Sequence, residues 1–340
     1  MPTSHITLIV PGLLNSLARE NQVMPRFEAL EVLLARAEQT RLEKTSFHEC
    51  IVQQFDVNAK TPECIAAVCR YADSGKRDNK IWMCFSPVFL HADKDRLLLQ
   101  GQSMLAVTEQ EAARLIGELN SLYKEDGWLF ESHHPERWYA SIDSLPDALF
   151  SHYLEVLGRS IESFLPQGQE RIEWHRVVNE IQMLLHASEV NQQRLEKSCY
   201  PINSVWCWGG GQLPDTVRSD WNAVYTDDIF CKGLVQLAGG VAKALPEHVD
   251  ELFDAVQQCE PGKEMHQLVV MQQTEEDILS LDFTRYLQKL ASLEDKWFKP
   301  LLRQLGNGRC KSLTLLAGNG IKYYLEKKHL RRFWKRPKAI

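Results

Sequence analysis

The stretch Ser204–Pro214, SVWCWGGGQLP, sets two tryptophans and a cysteine directly before three consecutive glycines. A β-favouring run stopped by Gly-Gly-Gly reads as a buried strand whose end must bend freely or approach something closely. That something is either a ligand or a neighbouring helix. On the ligand reading, Gly209, Gly210 and Gly211 present backbone N–H groups able to cradle a phosphate or carboxylate. On either reading Trp206 or Trp208 packs into the core beside them. No Lys-Ser/Thr follows and no GxGxxG is present, so this is neither a P-loop nor a dinucleotide fingerprint.

Working outward from this strand, strand-like and helical patterns alternate. HITLIV opens the chain as a strand, and a helix is expected over about Pro25 to Glu43. KIWMCFSPVFL is a second strand. Thr108 and Glu111 form a capping-box pattern ahead of an apolar stripe of Ala112, Leu115, Ile116, Leu119 and Leu122. WLFESHHPERWYASI reads as two strands about a His-His-Pro turn. Long helices are expected over Leu145–Leu165 and Glu170–His186, a strand at HQLVVM and a helix from Phe283 to Leu305. LTLLAGNGIKYYL is a hairpin, because Gly-Asn-Gly supplies positive φ angles. The alternation predicts an α/β protein with a mixed sheet.

At 340 residues the chain accommodates two domains, or one core with an inserted lobe. Residues 1–76 with 246–340 are expected to form the core, and 77–245 the insert. No apolar run approaches the ~18 residues of a membrane span, and the start lacks the basic, small-residue marks of a signal peptide. Nine scattered cysteines, mostly inside apolar runs, read as buried cytoplasmic thiols. The last fourteen residues carry seven Lys or Arg, so that against a total of −6 the rest of the chain carries −13. The Lys327–Lys338 tail is therefore a candidate contact for an acidic macromolecule and is expected to be dispensable for folding. The acidic body argues against general nucleic-acid affinity.

Several polar sets invite a chemical reading. HADKDR offers Asp93, Asp95 and Arg96 after a strand, and SHHPERWY offers His133, His134 and Arg137. Arg-carboxylate pairs usually hold loops, but Arg also forks well onto phosphate. His175, Asn179, Gln182 and His186 recur at helical spacing and read as a solvated face; two histidines eleven residues apart on one helix cannot share a metal.

The run HASEVNQQRLEKSCYPINSVWCWGGGQLP, with AVYTDDIFCKGLVQLAGGVAKAL after it, resembles the substrate-holding domain of the archaeal-type cofactor-independent phosphoglycerate mutases. In that resemblance Asn191, Arg194, Asn203, Gly209 and Gly211 match the family's V-N-x-x-R and Asn-strand-Gly positions. Over nearly its full length the chain is similar to proteobacterial regulatory proteins of the RpfE type, through Ser86–Leu99, His134–Tyr139 and Asn179–His186. The resemblance implies an alkaline-phosphatase-like core, in which two divalent metals activate a serine.

The expected ligands of that centre are missing. Pro11-Gly12 stands where the family has Asp-Gly, Met24 replaces a threonine in MPRFEAL, TEEDILSLDFTRYL has carboxylates but no histidine, and SLTLLAGNG has no Asp-His pair. A hard or borderline cation needs several such ligands together. The sequence thus implies no catalytic residue, no metal and no cofactor. The leading reading is a regulatory or sensor protein that binds a small anionic or phosphorylated metabolite through Asp93, Asp95, Arg96, Arg137, Asn191, Arg194, Asn203 and Gly209–Gly211. One alternative is an enzyme with a rearranged site of His91, Asp93, Asp95, His133 and His134. The other is an interaction scaffold acting through the basic tail.

Overall fold

A computed structural model of the chain describes residues 3–14, 25–43, 46–257, 263–272 and 283–338. Contacts divide it into two units, residues 1–57 with 217–340, and residues 58–216. In chain order the first unit begins with β1 (Thr3–Ile9), α1 (Glu28–Arg36), β2 (Glu38–Arg41) and α2 (Phe47–Val52). The second holds α3 (Ile65–Ser74), β3 (Ile81–Asp93), β4 (Arg96–Gln100), α4 (Glu109–Leu122), β5 (Leu129–His134), β6 (Arg137–Ile142), α5 (Arg171–Ala187), α6 (Glu189–Glu196) and β7 (Ser204–Gly211). The chain returns to the first unit through β8 (Ala223–Thr226), α7 (Ile229–Leu237), α8 (Asp250–Gln257), β9 (Glu264–Val270), α9 (Phe283–Leu293), α10 (Lys299–Asn307), β10 (Cys310–Leu316) and β11 (Ile321–Glu326).

The first unit is built on a six-stranded sheet of order β8-β9-β1-β10-β11-β2. Its first four strands run parallel and β11 is antiparallel to both its neighbours, β10 and β2, so the mixed sheet expected from the alternation is the one formed. β1 is central, with Ser4, Ile6 and Leu8 buried on one face and Thr3, His5 and Thr7 half-buried on the other. Ile6, Leu8 and Val10 join Leu30, Leu33, Trp297, Phe298 and Leu313 in one core. The β10–β11 hairpin turns through Gly318 and Gly320 at φ +75° and +72°, as Gly-Asn-Gly requires.

Helix α1 is shorter than its apolar pattern suggests. Its first turn is capped from outside, by the buried Glu294 carboxylate accepting from the Ala29 (2.6 Å) and Leu30 (3.0 Å) amides. It stops at Arg36, and Glu38–Arg41 instead pairs with β11 as an edge strand. Tertiary pairing overrides the helix propensity of Glu38, Gln39 and Arg41.

The second unit holds an antiparallel sheet of order β7-β3-β6-β5, with β4 pairing the far end of β3. Phe85, Phe130, Trp138, Trp174, Ile181 and Leu185 fill its core against α4 and α5. The Thr108–Glu111 capping box forms in both directions, and the predicted stripe is buried except Leu122, which is exposed. The expected Leu145–Leu165 helix is absent: Gly158 at φ +71° separates a single turn at Tyr153–Val156 from a 3-10 turn at Ile161–Phe164. The unit boundaries fall earlier than the expected 76/77 and 245/246. Helix α3 packs on β3 and β7, and β8 pairs in parallel with β9 of the first sheet.

Among the described residues no helix is long and apolar enough to cross a membrane. Among the described residues eight cysteines form no disulfide, and all of them but Cys199 are buried. Burial pushes the Cys64 thiol up to about 11 and that of Cys310 up to about 12, which makes them inert packing groups.

Candidate functional site

The glycine run forms the last three residues of β7 and lies under the chain entering α3. A Cβ on Gly211 would stand 1.9 Å from the Glu63 carbonyl oxygen, and one on Gly209 3.2 Å from Ile65 Cβ. Gly209 also takes φ +66°. The close approach therefore serves a neighbouring helix start. Trp206 is buried and donates to Ser151 O (2.9 Å); Trp208 is half-buried and donates to Ser86 Oγ (2.9 Å).

Asn191, Arg194 and Asn203 are brought together, as clamps. Asn191 is buried, donates to the carbonyls of Leu185 (2.7 Å) and Ile202 (2.8 Å) and accepts from Ile202 N (2.8 Å). Asn203 imitates a strand neighbour, accepting from Leu90 N (2.7 Å) and donating to Leu90 O (2.9 Å). The buried Arg194 guanidinium donates to Tyr200 O (2.8 Å), to Leu105 O and to Glu111 Oε2 (2.8 Å). Burial acts to raise the Glu111 carboxyl, but bonds from Thr108 and the Arg194 charge outweigh it and hold it below the usual range. These side chains tie α6 to the sheet, and their donors already point at protein acceptors.

Arg137 likewise holds structure, with two bonds of 2.8 and 2.7 Å to Asp73, whose Oδ2 also accepts from Tyr139 OH at 2.7 Å. Burial disfavours the Arg137 charge, and Asp73 more than restores it. Asp93 and Arg96 face each other across the exposed β3–β4 hairpin, which turns through Lys94 (φ +54°) and Asp95. His134 pairs with Arg137 in the β5–β6 hairpin. Since Cys84 is opposite Tyr139, continuing that register sets Arg137 level with Ser86. Asp93 is seven residues further along β3, a strand path of ~20 Å. His91, Asp93 and Asp95 thus do not converge with His133 and His134. His133 instead bonds Glu131 (3.0 Å), and Gln182 bonds Ser204 Oγ (3.0 Å), while Asn179 and His186 are exposed.

The carboxyl edge of the parallel strands is where an open α/β sheet normally takes its ligand. At the end of β1 stands the buried Pro11, which has no donor atom on its side chain. The hairpin turn backs it: a Cβ on Gly318 would lie 3.0 Å from Gly12 N and 3.3 Å from Pro11 Cα. After β8, Asp228 caps α7 through Cys231 N (2.6 Å) and Asp227 accepts from Gln272 N (3.1 Å). Met24, Glu275, Glu276, Asp277 and Asp282 lie outside the described residues. Among the described residues the donor set at this edge does not fit a two-metal centre.

One group of possible metal ligands does occur among them, at the opposite edge. His5, Glu264 and His266 share one face of the β1–β9 pair, with ligand atoms all within 4.8 Å of one another. The two imidazoles stack with centroids 4.7 Å apart and planes 7° from parallel. Burial, then the neighbouring His266, hold the His5 pKa below its usual value. His266 also lines a cavity of about 750 Å³ with Arg218, Asp220, Trp221 and the Gln53–Asp56 segment. Trp221 is pinned there by its indole N–H on Gln54 O (2.7 Å). The sequence reading missed this cluster, whose only signal is a histidine beside each apolar strand run.

The basic tail is partly docked. His329 is buried, Leu330 packs on the core, Arg332 donates to Arg36 O (3.2 Å) and Glu38 (3.0 Å), and Lys335 reaches Ala37 O (3.4 Å). The expectation that everything from Lys327 is dispensable is corrected to this extent. Phe333 and Trp334 are 78% and 66% exposed.

No protein-family profile matches the chain. Over 60 residues it is 33% identical to the 2,3-bisphosphoglycerate-independent phosphoglycerate mutase of Methanosarcina barkeri, covering 18% of this chain and 15% of that protein. The enzyme of Methanosarcina mazei matches at 30% identity with the same coverage. These matches span only 15% of the length of the curated relatives. Among solved structures, the cofactor-independent phosphoglycerate mutase of Thermoplasma acidophilum aligns over 95% of this chain and 90% of its own, at 13% identity and TM-score 0.41. The PH0037 protein of Pyrococcus horikoshii aligns over 96% and 88%, at 8% identity and TM-score 0.50, a likeness of fold alone. The local sequence likeness points to a phosphoglycerate-mutase-like fold.

Proposed function

We propose that this chain is a non-catalytic, cytoplasmic protein of phosphoglycerate-mutase-like fold that senses a small anionic or phosphorylated metabolite, in the regulatory manner of the RpfE-type proteins it resembles. The observation that carries the non-catalytic reading is Pro11, a buried residue without a ligand atom at the end of the central strand, closed against Gly318. A serine is a poor nucleophile unless a base or metal lowers its pKa, and phosphoryl transfer needs its charge neutralised as it develops. Binding needs only donors and positive charge. Asn191, Arg194, Asn203 and Arg137 spend their donors on the fold, so the Arg218–His266 cavity is the better seat for the ligand than the glycine strand.

Thermal-shift measurement with phosphorylated three-carbon acids, with and without Mg²⁺ or Mn²⁺, tests this reading. A ligand that binds only the folded state raises the melting temperature by mass action. Stabilisation without interconversion of 2- and 3-phosphoglycerate supports it. Measurable interconversion would instead establish the enzyme alternative, which the names of the curated relatives favour. No stabilisation by any anion would remove the sensor reading. A second reading is favoured by the exposed Phe333–Trp334 pair among Arg331, Arg332, Lys335, Arg336 and Lys338: a contact for an acidic macromolecule, with aromatics adding apolar area to charge.

A further inference from the structure

We propose that His5, His266 and Glu264 form a binding site for one divalent transition-metal ion of the Zn²⁺ class on the amino edge of the parallel sheet. This site is argued from its ligand geometry alone, although His266 also lines the cavity proposed above for the anion, and it lies at the opposite end of the strands from the phosphatase-type centre. The parallel register places His5 directly beside His266. Glu264, two residues before His266, falls on the same face because strand side chains alternate. Two imidazoles with one carboxylate are a donor set that suits Zn²⁺, Co²⁺ or Ni²⁺ and disfavours Mg²⁺ and Ca²⁺.

The His5 ring is already oriented for ligation. Its Nδ1 bonds Ser312 Oγ at 2.7 Å, which fixes the ring and leaves Nε2 as the free nitrogen. That Nε2 is buried, without a hydrogen-bond partner, and 3.7 Å from Glu264 Oε2. A buried ring nitrogen without a partner costs free energy that a bound ion would recover. The Ser312 contact is the outer-shell hydrogen bond that metal-ligating histidines usually make. Tetrahedral Zn²⁺ with bonds of ~2.0–2.1 Å holds its ligand atoms ~3.3 Å apart. Atoms within 4.8 Å reach that spacing by small side-chain rotations. His266 is held from behind by its amide on Asn222 Oδ1 (2.8 Å), and its exposure together with the adjoining cavity gives the ion access from solvent. Three protein ligands leave a coordination position for water or a small anion. Lys311, paired with Glu264 Oε1, is the competing cation.

The test uses the full chain, stripped with chelator and titrated with Co²⁺, reading the visible d–d bands of a low-coordinate site. One equivalent is expected to bind and to be displaced by Zn²⁺. His266→Gln and Glu264→Gln, both at exposed positions, should abolish the bands while circular dichroism stays unchanged. Ser312→Ala should weaken Co²⁺ binding by about ten- to a hundredfold, and Lys311→Met should tighten it. Failure of the wild type to bind at equimolar concentration would overturn the proposal. So would bands that persist in His266→Gln, which would locate the metal elsewhere. Unchanged or weaker binding in Lys311→Met would remove Glu264 from the ligand set.

Discussion

The Glu63 carbonyl oxygen stands 1.9 Å from the point a Cβ on Gly211 would occupy, whereas at Gly210 the nearest atom is Leu145 Cδ2 at 3.4 Å. Backbone cannot step aside as a side-chain methyl can. Gly211→Ala is therefore expected to destabilise the protein by about 3 kcal/mol or more, and Gly210→Ala by well under 1 kcal/mol. Gly209→Ala should fall between, at ~1–2 kcal/mol, through its positive φ. Urea unfolding of the three variants measures the order; equal effects would show that the strand end yields as a whole.

Arg194 separates a clamp from a ligand residue. Its charge is buried with one carboxylate and two carbonyls as partners. Removing one member of such a set costs ~3–5 kcal/mol because the others stay buried and unpaired. Arg194→Met should lose about that much stability while anion-induced thermal shifts keep their size. A variant as stable as wild type with its anion response gone would reassign Arg194 to the ligand.

His48 gives the fold a pH limit. It is buried against Phe230, and burial holds its pKa at about 3, against 6.5 when exposed. The folded state thus refuses a proton that the unfolded chain accepts. Stability attributable to this group is complete above pH 6.5 and falls as the pH drops towards 3, by on the order of 5 kcal/mol in all. Proton uptake on unfolding near pH 5, from the slope of stability against pH, should drop by about one in His48→Leu. An unchanged slope would mean that the imidazole becomes protonated within the fold.

Much of the architecture was legible because local chemistry and tertiary fate agree. Thr108 with Glu111 marks a helix start, and Gly318-Asn319-Gly320 marks a hairpin, whatever surrounds them. Glu38–Arg41 was not legible: nothing in EQTR announces the edge of β11, which lies 280 residues away in the chain. The site misled for a related reason. Asn191, Arg194 and Arg137 have the side chains of an anion site, and only the fold reveals that Ile202 O, Leu105 O and Asp73 consume their donors. The histidine pair is the converse: its two members become neighbours only through parallel pairing of strands some 260 residues apart.

The tail should divide at Arg332. Ending the chain after Arg332 removes Phe333 and Trp334, which cover little, together with the Lys335 contact to Ala37. Melting temperature should change little. Ending it before Lys327 also removes buried His329 and the Leu330 carbonyl that accepts from Arg36 (2.6 Å), at a cost of ~2 kcal/mol or more. A shorter chain as stable as the longer would mean that the tail only lies on the sheet.

The last expectation concerns Pro11. If a missing first ligand alone silenced a phosphatase-type centre, Pro11→Asp would restore activity with added Mn²⁺. The closed contact with Gly318 predicts otherwise: the turn leaves little room for a carboxylate and a hydrated ion together. A buried carboxylate without a paired cation is itself expensive. Pro11→Asp should therefore lower stability by about 2 kcal/mol or more and produce no phosphoglycerate interconversion with Mn²⁺, Mg²⁺ or Zn²⁺. The introduced carboxylate would need further ligands to hold a metal, and Asp228 is committed to capping α7 through Cys231 N. Activity appearing in the single substitution would show that those ligands exist beyond the described residues, with Glu275, Glu276, Asp277 and Asp282 first to be replaced.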